Sequence, residues 1–231
     1  MQHSSNGSRT VLVIDADPER RAVIRRVAGR RGLVTREVTT HADAVGGLQS
    51  RTPDLIILDA DLADGRGLCG YLRAEELRAP ILLLVADAFD LRVGLRLDAG
   101  ADDVLVKPID PEALSERLDA HLERDVRTWT GAGPLQFDDL TLDVSDQRVY
   151  ERGVEVPLSR TEFDLLAVLA SRPGQVFSSG ELLQRIWGYQ GEDAVHVLRA
   201  GIGRLQKLIE DHPERPRRVQ VVSPLGYRFS G

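Results

Sequence analysis

The 231-residue sequence contains one cysteine, Cys69, which excludes an internal disulfide and any multi-cysteine metal site. That use of cysteine suits a reducing compartment, and Cys69 reads as a core residue. No run approaches the ~20 apolar residues of a membrane span. The first eight residues, MQHSSNGS, lack an apolar stretch and are expected to form a disordered tail, not a signal peptide. Excess positive charge is also missing. The formal charge is −6, so nothing global advertises nucleic acid or an anionic membrane, and any DNA contact must come from a local patch.

With 42% hydrophobic residues, the chain can build packed cores, and its length favours two domains. From Thr10, short apolar runs (VLVI, DLIILD, ILLLVA, DVLVK) alternate with helical segments such as PERRAVIRRVAGRRG and PEALSERLDAHLERD. Continuous apolar strands separated by helices indicate a parallel sheet buried on both faces. A five-stranded, doubly wound α/β domain over residues 9–125 is therefore expected. The periodicity stops at RTWTGAGP, and residues 126–133 read as a linker. Residues 134–231 follow another pattern: short turn-separated strands, then RTEFDLLAVLASRPG, SSGELLQRIWG and EDAVHVLRAGIGRLQKLIED as three helices, then VQVVSPLGYRFS as a hairpin. Three helices closed by a hairpin, with bases on the third, describe a smaller α+β winged helix-turn-helix domain. Phe163 and Trp187 are the expected aromatic anchors of its core.

On the segments PDLIILDADLADGRGL, AGADDVLVKPID, LSRTEFDLLAVLASRPGQVFSSGELLQRIWG and LGYRFS, the chain resembles the response regulators of the OmpR/PhoB type over nearly all residues after 9. The resemblance implies a flavodoxin-like receiver whose phosphoacceptor is Asp59. Its pocket would comprise Asp15, Ala16, Asp61, Val85 and Lys107. In such receivers two adjacent acids and the phosphoacceptor hold magnesium, a hard cation that needs several oxygen ligands. The metal and a lysine then neutralise charge on the transferred phosphoryl group.

Three positions depart from that pattern. Ala16 replaces the second acid, so at most a weakened magnesium site on Asp15 and Asp59 is expected, which restoring an acid at 16 should tighten. Val85 stands where a Thr or Ser donates to the phosphate, and Val104 where an aromatic rotates with it. Asp17 is not expected to substitute as a ligand, because successive side chains at a strand end point different ways. Together these changes lead us to expect a receiver that does not use ordinary magnesium-dependent aspartyl phosphorylation.

The resemblance further implies a homodimer through the receiver. Asp103 and Arg117 match an intersubunit salt bridge, while Val93 and Ala113 fall where another charged pair usually sits. DNA is expected to meet the helix from Asp193 to Glu210 through His196, Arg199, Arg204 and Lys207, with Arg228 in the wing. Base reading needs such donors near the start and middle of the helix, and bases further along suit phosphates. Gly201 and Gly203 each cost about 1 kcal/mol relative to alanine, so this helix is expected to order fully only on DNA.

Double-stranded DNA is thus the expected partner, with RNA polymerase and a cognate sensor kinase left open. No enzyme activity, cofactor or membrane association is expected, and the reading places the chain in the cytoplasm. Two alternatives stand beside it: conventional activation by phosphorylation of Asp59, and a regulator that binds a small molecule in the receiver pocket. GRGLCG, Gly65 to Gly70, matches a dinucleotide fingerprint only formally, because ADLAD separates it from the preceding strand.

Overall fold

The computed structural model describes residues 8–48, 52–62, 65–87, 97, 99–122, 133–188 and 192–231. Most of the expected tail and linker, together with Val93, lies outside the described residues. The first half is a parallel sheet of β1 (Thr10–Ile14), β2 (Val34–Val38), β3 (Leu55–Asp59), β4 (Ile81–Val85) and β5 (Asp103–Val106), in the order β2-β1-β3-β4-β5. The helices bounded within the described residues are α1 (Pro18–Gly29), α2 (His41–Leu48), α3 (Gly65–Ala74) and α4 (Pro111–Leu122). Every residue of β1, β3 and β4 is buried, as continuous apolar strands with cover on both faces require. GRGLCG starts α3 and is helical rather than a phosphate loop. Cys69 is buried in the apolar cluster on that side of the sheet.

The second half opens with an antiparallel sheet of β6 (Leu135–Phe137), β7 (Leu140–Asp143), β8 (Arg148–Glu151) and β9 (Val154–Val156), paired in sequence order. Three helices follow: α5 (Arg160–Ala170), α6 (Ser179–Ile186) and α7 (Glu192–Ile209). Ser159 and Ser178 each close a capping box, with Glu162 and Glu181, which satisfies N–H groups that the first turn leaves open. The terminal hairpin, β11 (Val219–Val222) and β12 (Gly226–Phe229), gains a third strand from the two-residue β10 (Val176–Phe177).

The helix α7 runs without a break from Glu192 to Ile209, through both glycines. Packing explains the first glycine: a Cβ at Gly201 would lie 3.0 Å from Leu165 Cδ1, so the missing methyl lets α7 approach α5 closely. Gly203 has open space around it and no such reason.

At the turn into β12, Gly226 has φ +145° and an added Cβ would lie 1.9 Å from the Phe177 carbonyl oxygen. Gly226→Ala is expected to destabilise the winged-helix half by about 2 kcal/mol or more, from backbone strain and displacement of β10 together. Urea unfolding followed by Trp187 fluorescence measures the loss; an unchanged midpoint would contradict this account of the turn.

Candidate functional site

Parallel strands β1 and β3 lie side by side and end at the same edge of the sheet, bringing Asp15 and Asp59 together across 44 residues of chain. Both carboxylates are buried, Asp15 at 0% and Asp59 at 4% exposure, so their charge must be answered locally. The answer comes from Arg20, in the first turn of α1. Its guanidinium donates to Asp15 through Nε and Nη2, both at 2.8 Å, to Asp17 Oδ2 through Nη1 at 2.9 Å, and to Asp59 Oδ2 through Nη2 at 2.5 Å. A planar fork of donors suits such bidentate work.

Local sequence sets this geometry. Asp17 is the N-cap of α1, accepting from the backbone N–H groups of Glu19 and Arg20, and Pro18 opens the helix behind it. The chain therefore turns sharply after β1 and carries Arg20 back over the strand end. Asp17 accordingly caps a helix and shares the Arg20 cation. Hydrogen bonding from the Arg20 and Glu19 amides holds the Asp17 carboxyl below its usual range. Hydrogen bonding to Asp15 likewise holds Arg20 above the ordinary arginine value.

On the other side, Lys107 Nζ donates to Asp59 Oδ1 at 2.8 Å and to Asp61 Oδ2 at 2.6 Å, and the Asp61 amide donates to Asp59 Oδ1 at 3.0 Å. Burial alone would lower the Lys107 ammonium, but its bonds to Asp59 and Asp61 raise it above the ordinary lysine value. Val85 and Val104 are each 1% exposed and lie in one apolar cluster, offering no hydroxyl to the cleft. The residues present do not fit a divalent metal. Ala16 contributes a methyl group where an oxygen is needed, and the carboxylates of Asp15 and Asp59 already hold the Arg20 guanidinium between them. Among the described residues, no group of three or more His, Cys, Asp or Glu side chains is placed to hold a metal.

The dimer-face residues are arranged differently from expectation. Asp103 and Arg117 pair within the chain, Nε to Oδ2 at 3.3 Å, and both are buried. His121 Nε2 also lies 2.9 Å from Asp103 Oδ2, so two of the acid's partners come from α4 of the same chain. Ala113 is half-buried at the start of α4.

The helix α7 presents His196, Arg199 and Lys207 to solvent. Arg204 does not join them. It is 7% exposed, with Nε donating to Glu162 Oε1 at 2.7 Å, Nη1 donating to the Leu97 carbonyl, and Nη2 lying 3.6 Å from Asp102 Oδ1. The reason is docking of the two halves around Asp102. This carboxylate also accepts from Arg73, from the Ile81 amide at 2.8 Å and from Ser159 Oγ at 3.2 Å, while its backbone carbonyl accepts from Trp187 Nε1 at 3.0 Å. Trp187 is thus both a core anchor and an interdomain donor. Arg228 lies in β12, half-buried, with Nη2 donating to Gln220 Oε1 at 2.6 Å.

With that geometry in view, comparison with known proteins defines the class. Residues 11–119 match the family model described as response regulator receiver domain, and residues 153–229 match transcriptional regulatory protein, C terminal. The DNA-binding response regulator MtrA of Mycolicibacterium smegmatis is 33% identical over 220 residues, covering 94% of this chain and 95% of its own. The transcriptional regulatory protein KdpE of Mycobacterium tuberculosis is 34% identical over 222 residues, covering 95% and 98% respectively. Among solved structures, the response regulator DrrB, an OmpR/PhoB homologue of Thermotoga maritima, is 27% identical with a TM-score of 0.51, covering 97% of this chain and 100% of its own. A mutant of RitR, 21% identical, reaches a TM-score of 0.77 at the same coverage and shows the shared fold. The chain belongs to the OmpR/PhoB-type response regulators and is a DNA-binding transcriptional regulator of that type.

Sequence reasoning missed Arg20 and Arg73, and gave Asp102 no part in joining the two halves. For Arg20 a signal existed: a base in the first turn of the helix that follows a strand-end acid lacking its usual neighbour. Arg204→Ala removes the cation between Asp102 and Glu162, a change that costs about 3–5 kcal/mol when the remaining charges stay buried. Two halves joined by a linker can separate and hydrate those charges instead. Small-angle scattering is expected to show a larger radius of gyration for Arg204→Ala with each half still folded; an unchanged radius would contradict the role of Arg204 in docking.

Proposed function

We propose that this chain regulates transcription in the cytoplasm, as a DNA-binding protein without enzyme activity of its own, and that magnesium-dependent phosphorylation of Asp59 is not its input. The domain limits are those expected above, with the receiver over residues 9–125 and the effector over 134–231. One observation carries the reading of the input: Asp59 accepts three hydrogen bonds from the chain itself, from Arg20, Lys107 and the Asp61 amide. A carboxylate has about four acceptor sites in all, so attack on a phosphoryl group would first have to break bonds already made. Val85 supports the same reading, since a phosphate formed there would find no hydroxyl donor at that position.

DNA recognition is assigned to α7. His196, Arg199 and Lys207 are exposed along it, a suitable set for base edges and phosphates. Arg204 can join them only by leaving Asp102 and Glu162, which makes interdomain docking and DNA binding competitors for one side chain. The expected homodimer through the receiver would compete in the same way, because Asp103 and Arg117 are turned inward.

Purified protein should bind its operator in a gel-shift titration without phosphodonor, and Asp59→Ala should change the affinity less than about threefold. Acetyl phosphate with magnesium tightening binding by about tenfold, ~1.4 kcal/mol of coupling, would contradict the reading. Lys207→Ala should weaken specific and scrambled duplexes alike and reduce the salt slope by about one unit. Fluorescence anisotropy across a salt series checks this; a loss confined to the specific duplex would make Lys207 a base reader instead.

A further inference from the structure

We propose that Arg20 is the resident cation of the receiver cleft: a tethered guanidinium that stands between Asp15 and Asp59 and keeps divalent ions out. This deepens the reading of the input given above and rests on it for the identity of the cleft. Its basis is geometric. Arg20 joins the two buried carboxylates through one nitrogen, Nη2, at 2.8 Å from Asp15 and 2.5 Å from Asp59, while Nε closes a second bond to Asp15. A metal bridging the same pair would need the oxygen positions that these N–H groups take.

Charge supports the assignment. Four carboxylates converge here, from Asp15, Asp17, Asp59 and Asp61, and among the described residues Arg20 and Lys107 are bonded to them. Asp17 and Asp61 are the exposed pair and can be screened by water, whereas Asp15 and Asp59 are buried and cannot. Arg20 serves the buried pair. Lys107 reaches only Asp59 of the two, so without Arg20 the Asp15 carboxylate would lose both of its charge-assisted bonds from a cation.

Ala16 and Arg20 then belong together. A methyl group at 16 removes one ligand, and a guanidinium at 20 supplies a charge that no longer needs a diffusible ion. Restoring an acid at 16 is consequently insufficient to recover metal binding, because Arg20 would still occupy the cleft. Removing Arg20 should expose a latent divalent-cation site.

The test is calorimetric titration of the full chain with magnesium chloride, against sodium chloride matched in ionic strength, on wild type, Ala16→Asp and the double variant Ala16→Asp/Arg20→Ala. Wild type and Ala16→Asp are expected to show no saturable uptake. The double variant should bind magnesium at least about tenfold more tightly than either, ~1.4 kcal/mol. Thermal unfolding adds a readout that a purely structural arginine would not move. Arg20→Ala should melt below wild type and recover with magnesium but not with sodium, while Arg20→Lys, which keeps the charge, should need no magnesium. If Arg20→Ala folds only when magnesium is present, that too supports the proposal.

Wild type binding magnesium as tightly as the double variant would overturn it, as would an Arg20→Ala chain whose melting is indifferent to magnesium. Either failure leaves DNA binding to be judged by the gel shift. Conversely, phosphodonor-enhanced DNA binding by a wild type with no magnesium affinity would overturn the reading of the input and leave Arg20 in place.

Discussion

Buried negative charge is the constraint that organises this molecule. Two carboxylates at the ends of adjacent parallel strands, Asp15 and Asp59, are almost completely removed from water, and an isolated ionised carboxylate in that position is far too costly to keep. A counter-charge has to be present whenever the receiver is folded. Here Arg20 of α1 and Lys107 after β5 supply it. The positions of Asp17, Pro18 and Arg20 follow from that need: cap, first helical residue, and the cation that the turn swings over the strand ends.

The same logic recurs about a third buried carboxylate, at the other edge of the sheet. Asp102, buried at the other end of β5 beside the winged-helix half, gathers Arg73, the Ile81 amide, Ser159 and Arg204. Ser159 is at once the N-cap of α5 and a donor to Asp102, and Glu162 is at once the capping-box acid and the partner of Arg204. Residues that would stabilise the effector by itself are therefore also the residues that dock it. A buried ionic knot of this kind contributes specificity of arrangement more than net stability, since desolvation offsets much of the attraction.

Much of the fold was legible in the sequence. Continuous apolar runs alternating with helical segments indicated parallel strands with helices on both faces, and turn residues with a change of period marked the three helices and hairpin of the second half. The two-residue β10 was not legible, because two residues carry no period. Arg20 was missed because its partners come from two strands: a first-turn arginine read along the chain looks solvated, and only the β1–β3 register brings Asp59 within reach. The placement of Arg204 was not legible for a related reason: its spacing to Lys207 puts both on one helical face, but packing against Leu97 and Asp102 buries Arg204 and leaves Lys207 exposed. The expected intersubunit pair of Asp103 and Arg117 closed within the chain because α4 packs beside β5, a tertiary fact with no local signature.

Whether Asp59 accepts a phosphoryl group decides what the receiver responds to. Intact-mass spectrometry of the full chain after incubation with acetyl phosphate and magnesium measures this directly, before any effect on DNA or stability enters. The prediction is a single unmodified species under conditions that label the same chain carrying Ala16→Asp, Arg20→Ala and Val85→Thr together. A stoichiometric phosphoryl adduct on the wild-type chain, lost in Asp59→Ala, would contradict it.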